Sequence, residues 1–525
     1  MSERLVRWVK SRLGEDQTAR ERGTVIVLFS LVLTILMGMA ALTVDVGWLY
    51  YTGARAQRAA DAAALAGVVH LPSLAPIVGG HPAHDIAIDI ATRNGFAHGV
   101  DSAVVTPAAV PGSRFRFQVT IQYDAPTFFL KVFGIDPQQI TRTALAEHLP
   151  AIRLGGRGND IGVQSSDGYW IAVNGDVTSA EQGDHLATQC SNSAADVNTS
   201  GCNFANTHHQ DPAYYYGVEL ATTGLDLDIY DAPGFDYDPT YAGNEHFDIN
   251  WTPTTSAHTT TYTLYPPDAS PNDPTDNRNQ PAVCSVTFDH ASSATINDPF
   301  GLGTIDKATY ESTYRGQWTD FCDDPSAAPG QYVMEIIVSA GNTSNTFSMR
   351  ETTPSSRVFA IEWISVHGSN DGSKFDLAEV PPEYVNRKIT VSLYDPGEND
   401  GDSFVTITQE GTPRDCQYRV LDLFGNEVQG WQPDDDAGPN CTIQTSDATN
   451  TGCAPGSGDP TDCVMYNGLF LEVLFDLTGY SCTIGTDCYW VVDYNYDGPT
   501  VSDRTTWGIR VAGQPVHLLP GTIAP

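Results

Sequence analysis

The chain has 525 residues, 64 acidic against 27 basic side chains, and a formal net charge of −37. The imbalance is uneven: the first 60 residues carry a balance of +3 and the remaining 465 one of −40. A surface so acidic argues against nucleic acid and anionic lipid as partners of the larger part, and otherwise serves to keep it soluble.

In chain order the first element is basic. Six of the first 22 residues are Lys or Arg, ending with Arg20 and Arg22. An uncharged run, TVIVLFSLVLTILMGMAALTV, then fills residues 24–44. As a helix it spans about 31 Å, matching a hydrocarbon core of about 30 Å. The basic flank predicts a single-pass anchor in the cytoplasmic membrane: residues 1–23 cytoplasmic, residues 24–44 spanning, and everything from Asp45 onward outside. A cleaved secretory signal is the alternative, but its apolar region is usually shorter, about 7–15 residues.

The helix is expected to continue past the span. Trp48, Leu49, Tyr50 and Tyr51 suit the headgroup region. ARAQRAADAAALAGVV, residues 54–69, favours helix, and Asp61 lies four residues after Gln57 and three after Arg58 on one face. The result is a rod of about 45 residues with a stripe of small residues, which is either a surface for close helix packing or a plain solvated stalk. Pro72 ends it. A short helix over residues 84–94 with Gly95 at its C-cap, a strand over 115–123, an aromatic compact stretch over 126–134 and an extended one over 139–147 predict a small α+β unit next to the membrane.

From residue 151 the texture changes to short alternating runs punctuated by Gly, Pro, Asp and Asn, the pattern of β-sandwich or jelly-roll modules. An internal echo pairs residues 216–220 and 225–234 (ending LDLDIYDAPG) with residues 375–380 and 389–397 (ending ITVSLYDPG). Two modules, 151–330 and 331–525, follow from it. The fold class is thus α+β overall: a transmembrane helix extended into a long Ala-rich helix, a membrane-proximal region over 45–150, then two exported β-rich modules.

All ten cysteines, Cys190, Cys202, Cys284, Cys322, Cys416, Cys441, Cys453, Cys463, Cys482 and Cys488, lie beyond residue 189. An even number confined to the exported part predicts disulfides. Near-neighbour pairs are the natural choice, for example Cys190–Cys202, Cys284–Cys322, Cys453–Cys463 and Cys482–Cys488, although sequence does not fix the connectivity.

Catalytic strings are missing: there is no His-Glu-x-x-His, no Gly-x-Ser-x-Gly and no phosphate-binding Gly-rich loop. The reading is therefore non-enzymatic. His81, His84 and Asp85, and separately His208, His209 and Asp211, are ligand-capable but read as structural or solvated. No cofactor is implied beyond calcium, for which Asp493, Asn495 and Asp497 followed by Gly498 match the first half of an EF-hand loop. The twelfth position, however, is Arg504, and YWVVDYNY reads as a strand. Asp395, Glu398, Asp400 and Asp402 form a second acidic turn. The 9 Trp and 23 Tyr offer faces for sugar, although aromatic residues in sandwiches more often fill cores.

Several of these residues carry a resemblance. Arg22 and Gly23, the apolar span, Asp45-Val46-Gly47, Gln57, and the run AADAAALAG that contains Asp61 are similar to the N-terminal segment of TadG-like Flp pilus-assembly proteins. Asn94-Gly95 and PTFFLKVFGID over residues 126–136 also resemble that family's membrane-proximal region. Softer similarity extends to NGDVTSAEQGD, NTFSMR, LYDPGENDGD and DRTTW. No Asp-x-Ser-x-Ser string of the kind that accompanies a von Willebrand A domain is present. The residue five after Gly23 is Leu28, where a prepilin usually has Glu, which favours an anchor over a fibre subunit.

The resemblance implies a structural or assembly component of a Flp-type, tight-adherence pilus system in a bacterial membrane. Its partners would be the membrane and other pilus-assembly proteins, with Asp45, Gln57 and Asp61 mediating helix contacts. The alternative is a membrane-tethered adhesin binding a surface glycan or matrix, independent of pili.

Overall fold

The structure is a computed structural model. It describes residues 3–519 apart from 74–75, 136, 163–168, 176–177, 179–182, 186–207, 209–213, 232–248, 251–258, 269–272, 290–294, 302, 340–342, 369–372, 397–401, 436–437, 447–464, 467, 498–502 and 514; for 3–23 it describes the helical backbone alone. The described chain is α+β, with one long apolar helix and a β-rich remainder. It divides into two compact units, one of residues 1–69, 77–147 and 516–525, the other of 70–76 and 148–515.

In the first unit, helix α1 runs Glu3–Val68 without interruption, so the rod is longer than the sequence suggests because the basic segment continues the same helix. Helix α2, Pro82–Arg93, starts where proline is best tolerated, with the His81 ring nitrogen accepting the Ala83 N–H at 3.1 Å. Gly95, at φ +89°, follows its C-cap Asn94. Strands β1 (Val104–Ala109), β2 (Arg116–Ala125) and β3 (Gln138–His148) form a sheet completed by the strand Val516–Leu519. The chain's last described strand thus returns to the N-terminal unit and is not part of a module 331–525.

The core of this unit is built from small residues. Ala56, Ala59, Ala60, Ala63 and Ala64 of α1 are fully buried, as are Ala83, Ala87 and Ala91 of α2 and Phe117, Val119 and Ile121 of β2. Alanine on both helices lets their backbones approach closely, and the alternating apolar face of β2 covers the seam.

The second unit is one body. The strands Cys284–Asp289, Thr259–Tyr265, Gly330–Ser339, Tyr214–Leu220 and Arg357–Ala360 form a five-stranded sheet in that spatial order. Lys374–Glu379, Tyr489–Asp497, Asp402–Gln409 and Cys441–Ser446 form a four-stranded one. Both pack on a single long sheet, through Tyr216 and Tyr262 against Phe347 and through Phe375 and Tyr494 against Trp507. The sandwich character expected from the alternation is present, but no break falls at residue 330. Thr343–Glu351 pairs with Tyr169–Asn174 and Leu225–Asp231, so residues 330–360 complete the first sandwich. Trp363–Gly368 then joins Tyr169–Asn174 to Asp503–Val511, which fuses the two halves by backbone hydrogen bonds.

The internal echo is structural. In each copy the first strand (Tyr214–Leu220, Lys374–Glu379) lies in a smaller sheet and the second (Leu225–Asp231, Lys388–Tyr394) in the shared one. The Asp of each Tyr-Asp pair is buried: Asp231 faces Arg315 at 2.9 Å, and Asp395, at φ +62°, accepts the Gly468 N–H.

Candidate functional site

Asp45 marks where α1 passes from a fully exposed apolar surface to a packed one. Residues 24–44 touch almost nothing in the chain, and their large apolar side chains are about half exposed or more. Asp45 itself is buried. Its carboxylate accepts the backbone N–H groups of Phe128 (2.9 Å), Phe129 (2.9 Å) and Leu130 (2.6 Å). These are donors at the start of a 3-10 turn, Leu130–Phe133, where a negative charge is favoured. The Trp48 ring meets Phe128 edge-on at 5.6 Å. Asp45 is expected from the sequence to hold a partner helix; within the chain its carboxylate holds a turn of the same unit.

Much the same holds further up the rod. Gln57 donates to Asp61 at 2.8 Å and to the Thr143 carbonyl of β3 at 3.3 Å, so both are engaged within the unit while half-buried. The alanine stripe packs on α2 and β2, which decides the stalk-or-packing question in favour of packing, and within the chain. Gly67 shows how tight this is: a Cβ there would lie 2.3 Å from the Phe117 ring and 2.9 Å from the Ala83 carbonyl oxygen. Gly47 has open space around it. Arg22 and Gly23 lie in the stretch described by its backbone alone.

The calcium string takes another shape. Asp493, Asn495 and Asp497 lie in the strand Tyr489–Asp497, hydrogen-bonded on both edges, with Asp493 paired to Lys374 at 2.6 Å. Extended backbone separates alternate residues by about 6.6–6.8 Å, whereas an EF-hand loop curls them around an ion. Glu398 and Asp400 fall outside the described residues. His81 caps α2, and His84 contacts Asp85 at 2.9 Å, so that trio is structural. His209 and Asp211 also lie outside the described residues.

Three disulfides are formed among the described residues, Cys284–Cys322, Cys416–Cys441 and Cys482–Cys488. Each joins near neighbours in sequence. Cys190, Cys202, Cys453 and Cys463 fall outside the described residues.

The concave feature of the second unit was not singled out by the sequence. A cavity of about 510 Å³ lies over one face of the shared sheet. Cross-strand pairing sets Trp363, Gly508, Ser392, Glu472 and Arg419 in one lateral row. The Trp363 indole lies over Gly508, where a Cβ would come within 2.6 Å of the ring. Glu472, almost fully buried, accepts from Arg419 at 2.7 Å and also from Arg510; the Arg419 guanidinium sits 4.8 Å from the Trp431 ring centre. His185 and Phe470 also line it, their rings 4.8 Å apart, with the buried Tyr394 packed against His185. Burial, and then the neighbouring His208, push the His185 imidazole well below its ordinary range, so it is neutral at pH 7. The available signal was Gly508 inside a strand, a sign of close approach.

A second cluster unforeseen from sequence is Asp226, Asp228 and Asp320. Burial, then Asp226 and Asp228, raise the Asp320 pKa, while Arg350 pairs with Asp228 at 2.7 Å.

These features define a class: a chain with one N-terminal helix long and apolar enough to cross a membrane, feeding a small α+β unit and a large β-rich one. The comparisons sharpen the first of these parts. Residues 23–70 match the family model described as putative Flp pilus-assembly TadE/G-like. The chain therefore carries a TadE/G-like segment, over the residues that resemble that family. No curated protein sequence matches the chain.

Proposed function

We propose that the protein is a membrane-anchored, non-enzymatic structural or assembly component of a Flp-type, tight-adherence pilus system. Its N-terminus lies in the cytoplasm and its acidic β-rich unit is displayed outside the cell. The observation that carries this reading is the coincidence of the family match over 23–70 with an apolar helix whose residues 24–44 are exposed on every side. A surface of that kind requires lipid or other apolar cover. The clamp at Asp45 ties the family segment to the turn at residues 128–130 of the membrane-proximal unit, and the exposed faces of that unit are open to other pilus-assembly proteins.

Mass spectrometry of sheared fibres and washed membranes from the same cells tests the reading. Peptides from the first 20 residues, recovered with membranes alongside other pilus components, are expected. A mature N-terminus at Thr24 enriched in fibres would instead make the protein a processed minor pilin.

The cavity favours a second reading, a membrane-tethered adhesin for carbohydrate. Two indoles flank a row of hydrogen-bonding groups, and aromatic faces with convergent polar side chains suit a sugar ring. A glycan array probed with the full chain in nanodiscs tests it. Retained signal that disappears with Trp363→Ala and Trp431→Ala would support this reading, and the absence of any signal would count against it.

A further inference from the structure

The turn clamped by Asp45 has an unusual surface. Phe128 is 52 % exposed, Phe129 47 %, Val132 82 % and Ile135 40 %, whereas the apolar side chains of α2 and β2 are mostly buried. Residues 126–135 contain no acidic side chain and a single basic one, Lys131, which is exposed. The turn is not loose: the Thr127 hydroxyl donates to the Ile135 carbonyl at 3.1 Å, and Gly134 at φ +76° closes the 3-10 helix. Its shape is therefore held with the apolar groups outward.

Its height is fixed as well. Asp45 is the first charge after the uncharged run, and all three of its N–H donors belong to this turn. A helix that leaves the hydrocarbon at Val44 thus places residues 128–130 within hydrogen-bond reach of the exit point. Tyr50 and Tyr51, 81 % and 51 % exposed, lie within two turns of it. Aromatic residues gather at this depth because one end of the ring is apolar and the other wet.

We propose that residues 126–135 form a second membrane contact: Phe128, Phe129, Val132 and Ile135 enter the headgroup–acyl boundary of the leaflet from which α1 emerges, and Lys131 reaches the lipid phosphates. The proposal rests on the reading of residues 24–44 as a spanning segment. An apolar turn of this size beds into the boundary without crossing it, and a lysine on its rim extends its amine to the polar level. The occupant is lipid and not a partner protein because the turn is hydrogen-bonded to Asp45, the residue that directly follows the exposed span, and the flanking Val44 and Val46 are themselves half exposed. The contact sets the orientation of the membrane-proximal unit on the bilayer, which a single helix leaves free to swivel.

The experiment uses the full chain in phosphatidylcholine nanodiscs, with a polarity-sensitive fluorophore on Val132→Cys or Phe129→Cys and lipids carrying quenchers at shallow or deep positions. The unsubstituted chain, carried through labelling, gives the background. Leu36→Cys reports on the span. Val78→Cys is the matched control, a valine 60 % exposed beside α2's start; Gly67 packs on that start at Ala83, about 33 Å along α1 from Asp45. The expected result is blue-shifted emission at 129 and 132 with strong shallow quenching, several-fold above that at 78, and deep quenching at 36. Asp45→Asn is expected to lower quenching at 132 while leaving 36 unchanged. Quenching at 36 with 132 indistinguishable from 78 would overturn the proposal and leave the anchor standing. A blue-shifted but unquenched label at 132 would place it against protein and not lipid, and overturn it too. Loss of quenching at 36 would remove the anchor and the proposal with it.

Discussion

Residues 24–44 and 52–68 belong to one uninterrupted helix, yet they solve opposite problems. The first stretch is large, apolar and exposed all round; the second is small, and its buried alanines are covered by α2 and β2. A helix apolar on every side needs an apolar solvent, whereas a helix with one narrow small-residue face needs a close neighbour. The Ala-rich run, which in isolation resembles a helix-pairing surface between proteins, is satisfied by the protein's own α2. Asp45 is the joint between the two regimes, and substitutions on either side separate them.

The largest effect is expected at that joint. Asp45→Ala removes three hydrogen bonds to a charged acceptor at once, so the largest loss of local stability among these substitutions is expected in the turn. Hydrogen exchange at Phe128, Phe129 and Leu130 measures it. Exchange unchanged from the parent chain would show that the clamp contributes nothing. Membrane extraction should be unaffected, because the apolar run is intact.

Gly67→Val should come next. Its Cβ position is already inside the Phe117 ring's contact distance, so the substitution overpacks the α1–α2–β2 seam at a cost of about 3 kcal/mol. Limited proteolysis should then cut within residues 77–147 while the chain remains in the membrane fraction. Gly47→Val, with open space around it, is the matched control and should be silent in the same assay. Equal protease resistance of both variants would break the contrast between the halves.

Smaller still is Gln57→Ala, which removes the link from α1 to Asp61 and to the Thr143 carbonyl. About 1 kcal/mol is expected, read as a modest drop in the melting temperature of the membrane-proximal unit. A change in co-purification with pilus components at unchanged melting temperature would return Gln57 to the intermolecular role suggested by the family motif.

Much of the first unit was legible because its signals are local: an uncharged run, an alanine-rich helix former, a Gly C-cap, an alternating strand. Asp45 was legible as a site but not in its role, since its partners are 83–85 residues away and nothing local names them. The β-rich unit was legible in texture and in its internal echo. Its fusion into one body was not, because strand order depends on pairings such as Tyr169–Asn174 with Trp363–Gly368, nearly 200 residues apart in sequence. The cavity followed the same logic: Trp363, Glu472 and Arg419 share a row only after strand register is set.

The β-rich unit holds a counterpart to Asp45 that should behave differently in acid. Glu351 is also a buried carboxylate accepting backbone N–H groups, those of Asp226 (3.1 Å) and Thr353 (2.8 Å). Burial raises its pKa, and the hydrogen bonds from Thr353 and Asp226 only partly oppose this. A carboxyl whose folded-state pKa lies above its unfolded value of 4.5 binds its proton more tightly when folded. Its contribution is therefore fully present below pH 4.5 and is lost as pH rises through the elevated folded value. Asp306, Asp324 and Asp476, held low mainly by hydrogen bonds from Thr309, Ser326 and Thr478, act with the opposite sign: their stabilisation is present above the unfolded value of 3.8 and is lost as pH falls through their lowered values. Melting temperature against pH should thus decline gently above pH 4.5 and fall again at acid pH. Glu351→Gln should reduce the upper slope, leaving the part supplied by Asp320, whose pKa burial also raises, and leave the acid limb intact. An unchanged upper slope would show that Glu351 is ionised as readily in the fold as out of it, and that its hydrogen bonds fully offset its burial.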